Sequence, residues 1–304
     1  RFETGPFPFF RSNTCLHHCE FQGILSLHLL LFSLECRLSE QDFREQKMSI
    51  RNFILDMDGV MYRGKNLIPG SGKFIEQLLA RKSPFLFLTN NSEQNPAELV
   101  CKLQKMGITN LHEDNFITSA MATAIFLQRQ KPDGKAFVIG GDGLRQALCE
   151  VGYQLTNQSP DYVVVGKTAT FNFEMLAEAA NLIRRGAKFI GTNPDVVDPV
   201  EEHVEPACGS ILAAIEAATD RRPFVVGKPN ALMMTIARQK LGARSSETMM
   251  IGDRMDTDIV GGLEAGMKTC LVLSGVTTME MLDEFPYRPD YIFPCVGEID
   301  LESL

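Results

Sequence analysis

Two aspartates one residue apart, Asp56 and Asp58, follow directly after the apolar run at residues 53–55. A carboxylate is already ionised at neutral pH and can attack phosphorus without first losing a proton. Two carboxylates this close repel each other unless a cation intervenes, and hard oxygen ligands are those that Mg²⁺ prefers. Aspartates are equally typical of turns at strand ends. The interpretation as a reactive, metal-binding pair requires other reactive groups to converge on the same place, whereas the interpretation as turn residues does not.

Three further polar clusters each follow a predicted strand. They lie in "FLTNNS", "VVGKPN" and "MIGDRMDTD", and their candidate residues are Thr89, Asn90, Lys228, Asp253 and Asp258. Ligands of open parallel sheets bind beyond the carboxyl ends of the strands, so the four clusters are expected to meet in one crevice. Any one of them could be a turn, a helix cap or a solvated loop. Their joint occurrence at strand ends favours a functional site.

The residue types in this crevice suit phosphoryl transfer. Asp56 could act as the nucleophile, and Asp58 could protonate the leaving oxygen and later activate water. Lys228 offers a fixed positive charge, while Thr89 and nearby backbone N–H groups could hold phosphoryl oxygens. Carboxylate oxygens of Asp56 and Asp253 would bind Mg²⁺.

Short apolar strands alternate with amphipathic helices from Met48 onward, which predicts an α/β fold with a parallel sheet. Strands are predicted at 52–55, 85–88, 136–139, 162–165, 188–190, 224–226, 248–251 and 269–273, with helices such as 72–82 and 96–106. Turn-rich sequence flanks residues 131–206. We therefore expect an inserted smaller α/β domain at 131–206, which divides the core into 48–130 and 207–304.

The composition narrows the classes of partner. The chain has 304 residues, with 38 acidic and 30 basic side chains and a net charge of -8. This balance argues against nucleic acid or an anionic membrane as partner and is compatible with a small phosphorylated ligand. The eight cysteines have no regular spacing and are interpreted as reduced thiols, mostly in the core, of a cytoplasmic protein.

The first 47 residues differ from the rest and are interpreted as an extension outside the fold, either upstream or non-native sequence. Their apolar centre at 24–34 is too short to span a bilayer. Glu35 stands where a signal peptide would need a small residue. "CLHHC" at 15–19 has no second ligand pair at zinc-finger spacing, so we expect no metal site there.

The ordered set "DMDGV", "LTNNS", "GKPN" and "GDRMDTDI" resembles the four motifs of the haloacid dehalogenase superfamily of aspartate-nucleophile phosphatases. "TSAMATAIFL", "TNPD", "PACGS" and "LVLSGVT" are similar to its NagD-like subfamily, subclass IIA, over nearly all of residues 48–300. The resemblance implies a Rossmann-like core that carries the catalysis. It also implies a cap, inserted between the second and third motifs, that closes over the substrate.

The resemblance also assigns roles to single residues. Asp56 would be the nucleophile and Asp58 the general acid and base. Phosphate would be bound by Thr89, Asn90 and Lys228. Mg²⁺ would be held by Asp56, the backbone carbonyl of Asp58, Asp253 and, in a supporting place, Asp258. Asn193 and Asp195 of "TNPD" are candidates for contacts with the leaving group, although an Asn-Pro turn explains them almost as well.

The expected function is a Mg²⁺-dependent phosphomonoesterase for a small phosphorylated metabolite, with nucleoside monophosphates first. Sugar phosphates, phosphoglycolate and a pyridoxal-phosphate-like ester are the alternatives, because the acidic loop with Glu201, Glu202 and Glu205 departs from the family pattern. A phosphotransferase and a non-catalytic phosphate-binding protein also stay open. No nucleic acid or membrane partner is expected, and a homodimer is left open.

Overall fold

The computed structural model describes residues 50–199, 204–302 and 304. Every element named below lies in the compact unit Ser49–Leu304. The expectations for residues 1–47, including the short apolar run and "CLHHC", lie outside the described residues.

The first sheet has six parallel strands and carries the two aspartates at the end of a central strand. Its strands are β1 (Asn52–Leu55), β4 (Phe85–Thr89), β5 (Phe116–Thr118), β13 (Thr248–Gly252), β14 (Lys268–Val272) and β15 (Tyr291–Phe293). Their spatial order is β15-β14-β13-β1-β4-β5. The predicted strands of this sheet are confirmed to within one residue at each end, and the resulting α/β core agrees with the expected fold class.

A second sheet has five parallel strands, which are β6 (Lys135–Ile139), β7 (Gln154–Leu155), β8 (Tyr162–Val165), β9 (Lys188–Gly191) and β12 (Phe224–Val225). Their spatial order is β12-β9-β8-β6-β7. The inserted sheet does not end at residue 206, where the sequence predicted the insertion to end. Instead β12 pairs with β9, because Phe224 and Val225 lie opposite Ile190 and Gly191.

Helices connect the strands and cover the sheets. They are α1 (Ser71–Arg81), α2 (Pro96–Lys105), α3 (Ser119–Gln130), α4 (Asp142–Glu150), α5 (Phe173–Arg184), α6 (Cys208–Thr219), α7 (Ala231–Leu241) and α8 (Val260–Glu264). A π-helical turn, Met255–Ile259, leads into α8. The predicted helix 96–106 forms because Asn95 and Glu98 make a capping box and Pro96 fits the first turn.

Strand β1 is buried on both faces, which explains why its sequence is a continuous apolar run. Phe53 and Leu55 pack with Phe74 and Phe87 on one side of the sheet. Ile54 packs on the other side, against the helices that follow β5 and precede β13. Fully burying each such side chain stabilises the fold by about 1.5–3 kcal/mol. The strand that carries Asp56 is therefore a firmly packed element.

Two short antiparallel hairpins lie outside the sheets. One pairs β2 (Tyr62–Arg63) with β3 (Asn66–Leu67), and the other pairs β10 (Val197–Pro199) with β11 (Val204–Pro206). The turn between β10 and β11, with Glu201 and Glu202, lies outside the described residues.

The helices that the structure describes include none that combines the length and apolarity needed to cross a membrane. The five described cysteines are free thiols, as expected. The expectation that they lie in the core is wrong for Cys101 and Cys149, which are exposed.

Candidate active site

Asp56 continues the backbone ladder of the central strand by one residue. Its N–H donates to the carbonyl oxygen of Ile251 at 2.9 Å, so strand β13 fixes the start of the turn. The chain then reverses direction at Gly59, whose φ of +82° lies in the left-handed region that favours glycine. As a result the side chain of Asp56 is buried while that of Asp58 is exposed.

Lys228 joins two carboxylates inside the crevice. Its Nζ lies 2.5 Å from Asp56 Oδ1 and 2.7 Å from Asp258 Oδ1. Lys228 is only 3% exposed, and Asp258 is fully buried. Burial opposes the positive charge, but the two carboxylates outweigh it and raise the pKa of Lys228. The lysine therefore stays charged and holds the two aspartates in place.

Asp253 completes the acidic cluster. One ligand oxygen from each of Asp56, Asp253 and Asp258 lies within 4.8 Å of the others. Asp253 Oδ2 accepts a hydrogen bond of 2.7 Å from the N–H of Val276. Asp253 Oδ1 is buried and has no hydrogen-bond partner among the residues that the structure describes. A buried carboxylate oxygen without a partner is costly, and three hard oxygens around one point suit a divalent cation, so these residues fit a magnesium ion.

Two glycines make room for Asp253. A Cβ at Gly275 would lie 1.9 Å from Asp253 Oδ2, and a Cβ at Gly59 would lie 2.4 Å from the same oxygen. Asp258 is accommodated in the same way, since a Cβ at Gly252 would lie 2.2 Å from Asp258 Cβ. The acids are thus packed against bare backbone, which leaves no space for a side chain at these glycines.

The protonation of the cluster reflects its excess of negative charge. Burial, followed by the charges of Asp56 and Asp258, raises the pKa of Asp253 to about 8. Burial also raises the pKa of Asp258 to about 6, against the opposing effect of Lys228. One lysine does not neutralise three buried carboxylates, and a bound cation would supply the missing positive charge.

Asp58 has a different environment from the buried acids. Although its side chain is partly exposed, the loss of solvent on one side raises the pKa of its carboxyl group. Lys102 opposes this rise, whereas Asp198 adds to it. A carboxyl group with a raised pKa holds a proton more readily, which suits an acid that protonates a leaving group.

The loop after β4 lies against the lysine. Asn90 Oδ1 accepts a hydrogen bond from the N–H of Lys228 at 2.9 Å, and Asn90 Nδ2 donates to the carbonyl oxygen of Lys228 at 3.2 Å. Thr89 is nearly buried at the end of β4, and its Oγ1 accepts from the N–H of Asn91 at 3.1 Å. The structure thus brings Asp56, Asn90, Lys228, Asp253 and Asp258 together, with Thr89 beside them.

Asn193 and Asp195 make bonds to the core. Asn193 is buried, and its Nδ2 donates to the carbonyl oxygen of Asn90 at 2.8 Å. Asp195 accepts from Asn90 Nδ2 at 2.9 Å and pairs with Arg254 at 3.3 Å. These bonds give both residues a part in holding the two sheets together at the crevice, and contact with a leaving group stays a prediction.

Sequence reasoning missed several supporting residues. Ser119 Oγ donates to the carbonyl oxygen of Asn90 at 2.7 Å, and Arg254 pairs with both Asp195 and Asp256. Gly275, which leaves room for Asp253, and Val276, whose N–H donates to it, both lie in the segment "LVLSGVT". That segment stood out for its resemblance only, because a backbone contact leaves no signal in side-chain type.

Two family models match the chain. Residues 53–154 match the model described as haloacid dehalogenase-like hydrolase, and residues 225–299 match a second model described as HAD-hydrolase-like. The two matches contain Asp56 and Lys228, respectively. The first match runs on into the inserted sheet through strand β6, and the second begins at Val225, the last residue of β12. Together the two matches contain all the residues that the structure brings together in the crevice.

Curated relatives extend over most of the chain. Dihydroxyacetone phosphatase of Corynebacterium glutamicum is 42% identical over 248 residues, which are 82% of this chain and 90% of that protein. Ribonucleotide monophosphatase NagD of Escherichia coli is 40% identical over 254 residues, 84% of this chain and 100% of that protein. 5'-Nucleotidase YutF of Bacillus subtilis is 38% identical over 82% of this chain and 96% of that protein.

A solved structure shows the same architecture. NagD from E. coli K-12 superposes with a TM-score of 0.79 at 40% identity, covering 83% of this chain and 99% of that chain. Both the sequence identity and the fold thus agree with the order of motifs around the crevice. The chain belongs to the haloacid dehalogenase-like hydrolases and, within them, to the NagD-like phosphatases of subclass IIA.

Proposed function

We propose that this phosphatase hydrolyses nucleoside monophosphates in a Mg²⁺-dependent reaction that passes through an aspartyl-phosphate on Asp56. One observation carries the mechanism: Asp56 lies in a buried acidic cluster beside the charged Lys228, and Asp253 Oδ1 in that cluster has no hydrogen-bond partner within the described part of the chain. Such a cluster is built for a cation and a phosphoryl group.

The metal would be held by carboxylate oxygens of Asp56 and Asp253 and by the backbone carbonyl of Asp58. Asp258 supports this set through Lys228 and through the N–H of Arg254, which donates to Asp258 Oδ2 at 3.2 Å. When bound, Mg²⁺ supplies positive charge that lowers the repulsion between the carboxylates and the phosphate ester.

The side chains divide the reaction into two halves. In the first, a carboxylate oxygen of Asp56 forms a bond to phosphorus, the ester P–O bond breaks, and Asp58 gives its proton to the leaving oxygen. In the second, Asp58 takes a proton from water, the water oxygen bonds to phosphorus, and the carboxylate of Asp56 is released. Lys228, Thr89 and Asn90 hold the phosphoryl oxygens through both halves.

The choice of nucleoside monophosphates rests on the relatives. NagD is named a ribonucleotide monophosphatase and YutF a 5'-nucleotidase, whereas the Corynebacterium glutamicum relative is named a dihydroxyacetone phosphatase. Sugar phosphates are therefore the second candidate class, ahead of phosphoglycolate and pyridoxal-phosphate-like esters. The inserted unit at residues 135–225 would act as the cap that selects among them. We place the reaction in the cytoplasm and leave open a homodimer.

Phosphate release from a panel of esters tests the proposal. The panel contains nucleoside monophosphates, dihydroxyacetone phosphate, hexose phosphates, phosphoglycolate and pyridoxal phosphate, each measured with Mg²⁺ and again after chelation. We expect the highest kcat/KM for a nucleoside monophosphate and no turnover with the chelator. Turnover that survives chelation overturns the metal's role, and dependence on an added acceptor indicates a phosphotransferase. A folded protein that releases no phosphate from any ester would be a binding protein.

A further inference from the structure

Lys167, which follows strand β8, contacts three carboxylates. Its Nζ lies 2.7 Å from Asp198 Oδ2, 3.3 Å from Glu205 Oε2 and 3.7 Å from Glu93 Oε2. Asp198 and Glu205 belong to the two strands of the β10–β11 hairpin, whereas Glu93 belongs to the core loop after β4. A single side chain thus joins both strands of the hairpin to the core.

The two hairpin acids need this positive charge. Asp198 and Glu205 are direct partners in the antiparallel register, and like charges directly opposite each other destabilise a strand pair. The lysine is 19% exposed in its side chain. Partial burial opposes its charge, but the hydrogen bond with Asp198 and the nearby carboxylates outweigh burial and raise the pKa of Lys167. The lysine is therefore charged at all physiological pH values.

The backbone of Lys167 is also fixed. Its N–H donates to Ser92 Oγ at 3.3 Å, and its carbonyl oxygen accepts from the N–H of Gly141 at 3.2 Å. Ser92 belongs to the core loop that begins with Thr89 and Asn90. The ammonium group therefore projects from an anchored point, so it can hold the hairpin in one place.

The hairpin lies beside the crevice. Strand β10 starts two residues after Asp195, which contacts Asn90 and Arg254, and two residues span at most about 7 Å. The N–H of Ala207 donates to the carbonyl oxygen of Val196 at 2.9 Å and closes the base of the hairpin. Val196, Val197 and Val204 are 60%, 45% and 61% exposed. The hairpin thus offers apolar surface at the edge of the site.

We propose that Lys167 is a positioning residue that fixes the β10–β11 hairpin as the wall contacting the leaving group, and so sets which phosphate esters are accepted. The inference rests on the proposed phosphomonoesterase activity. It adds a residue outside the four motifs, which acts through the hairpin and touches neither the phosphoryl group nor Asp56.

The test compares Lys167→Met with Lys167→Arg and with Lys131→Met. Methionine keeps the length of the side chain and removes the charge, whereas arginine keeps the charge. Lys131 is the matched control, because it pairs with Asp161 at 2.6 Å just before strand β8, at the opposite end of the strand from Lys167. Each variant is assayed on a nucleoside monophosphate and on glycerol phosphate, whose leaving groups are both uncharged but differ in size.

We expect Lys167→Met to raise KM for the nucleoside monophosphate about fivefold with little change in kcat, because contact with the leaving group contributes to binding. KM and kcat for glycerol phosphate should stay near those of the wild-type protein, because its small leaving group does not reach the hairpin. Lys167→Arg keeps the positive charge, so its KM for the nucleoside monophosphate should stay close to that of the wild-type protein. The inference would be overturned if the ratio of kcat/KM for the nucleoside monophosphate to kcat/KM for glycerol phosphate were the same in Lys167→Met and in Lys131→Met.

Hydrogen exchange supplies a readout that needs no activity. Amide exchange in β11 should become about tenfold faster in Lys167→Met and stay unchanged in Lys131→Met. If the unchanged protein releases no phosphate, the proposed function fails while this measurement still decides whether Lys167 holds the hairpin. If Lys167→Met does not fold, Lys167→Gln removes the same positive charge but keeps a polar side chain, and should give the same pattern. Unaltered exchange in the hairpin of the folded variant contradicts the inference.

Discussion

Lys228 Nζ and Asp56 Oδ1 lie 2.5 Å apart although the two residues are 172 positions apart in the chain. The contact is buried, and Asp258 completes it from the other side of the lysine. Asp56, Lys228 and Asp258 are therefore one electrostatic unit, in which each charge depends on the others.

Replacing Asp56 by Asn should abolish turnover with little change in shape. The amide cannot attack phosphorus, so we expect kcat to fall by a factor of about 10⁴ or more. Phosphate release measures the loss, and circular dichroism verifies the fold. Asp256→Asn is the control, since Asp256 is exposed and pairs with Arg254. Appreciable turnover by Asp56→Asn would argue against a covalent intermediate on this residue.

Replacing Lys228 by Met should destabilise the protein. The change leaves Asp56 and Asp258 buried without their shared cation, and loss of one partner from a buried ion pair costs about 3–5 kcal/mol. Urea denaturation measures the change in the free energy of unfolding. Lys268→Met removes the exposed pair with Asp290 and should cost about 1 kcal/mol or less. Similar costs for the two variants would show that the buried pair contributes no more than a surface pair.

Asp253 should make the binding of magnesium depend on pH. Its pKa is raised to about 8 in the metal-free fold, so the folded protein binds a proton that the unfolded chain releases near its usual pKa of about 3.9. Between these pH values the folded state holds more protons, and the free energy of unfolding therefore falls as pH rises.

Magnesium needs the ionised carboxylate, so the increase in Tm on adding Mg²⁺ should be larger at pH 8 than at pH 6. Calorimetry with chelator and with Mg²⁺ at both pH values measures it. Asp253→Asn serves as control and should show a smaller dependence on pH. A Tm increase that is the same at both pH values would contradict the assignment.

Gly275 should not tolerate alanine. The new Cβ would lie 1.9 Å from Asp253 Oδ2 and must displace the carboxylate or the backbone. We expect weaker Mg²⁺ binding, a large loss of kcat and a lower Tm. Gly72, in helix α1, is the matched control. A Cβ there would lie 4.0 Å from Ile108 Cγ1, which is an ordinary van der Waals contact. Alanine there should stabilise the protein by about 0.5–1 kcal/mol. Full activity in Gly275→Ala would show that the acid has room to move.

The bonds of Asp195 to the core should matter for the rate because they hold the crevice in shape, and their loss should therefore reduce activity only moderately. Asp195→Ala removes the bonds to Asn90 and Arg254, and kcat/KM should fall about tenfold if the loss amounts to one charged hydrogen bond. Steady-state kinetics measures the effect on kcat and KM. Asp256→Ala removes the other, exposed partner of Arg254 and should leave both constants nearly unchanged. Equal effects in the two variants would assign the loss to Arg254 alone.

The core of the site was predictable because its chemistry lies in side-chain types at strand ends. Asp56, Lys228 and Asp253 each follow an apolar run, and parallel topology brings such ends to one edge. The extent of the inserted sheet was not predictable in the same way. Strand β12 has two residues, too few for any periodicity to assign it to one sheet, and only its pairing with Ile190 and Gly191 decides the matter.

The supporting contacts lay beyond sequence reasoning for a related reason. Asp195 and Arg254 are separated by 59 positions, and each alone has an ordinary explanation as a turn residue or a surface charge. Contacts made through backbone atoms, such as the N–H of Val276, leave no mark on residue type. Tertiary packing alone selects these partners.

The short strand β12 has a practical consequence for protein engineering. It ends at Val225, and only Val226 and Gly227 separate it from Lys228, with the N–H of Gly227 bonded to the carbonyl oxygen of Thr192. A chimera that exchanges the inserted unit between two phosphatases therefore needs its downstream junction after Val225. A junction at residue 206 would remove helix α6 and an edge strand from the donor's sheet and would leave Lys228 next to a strand from the other protein.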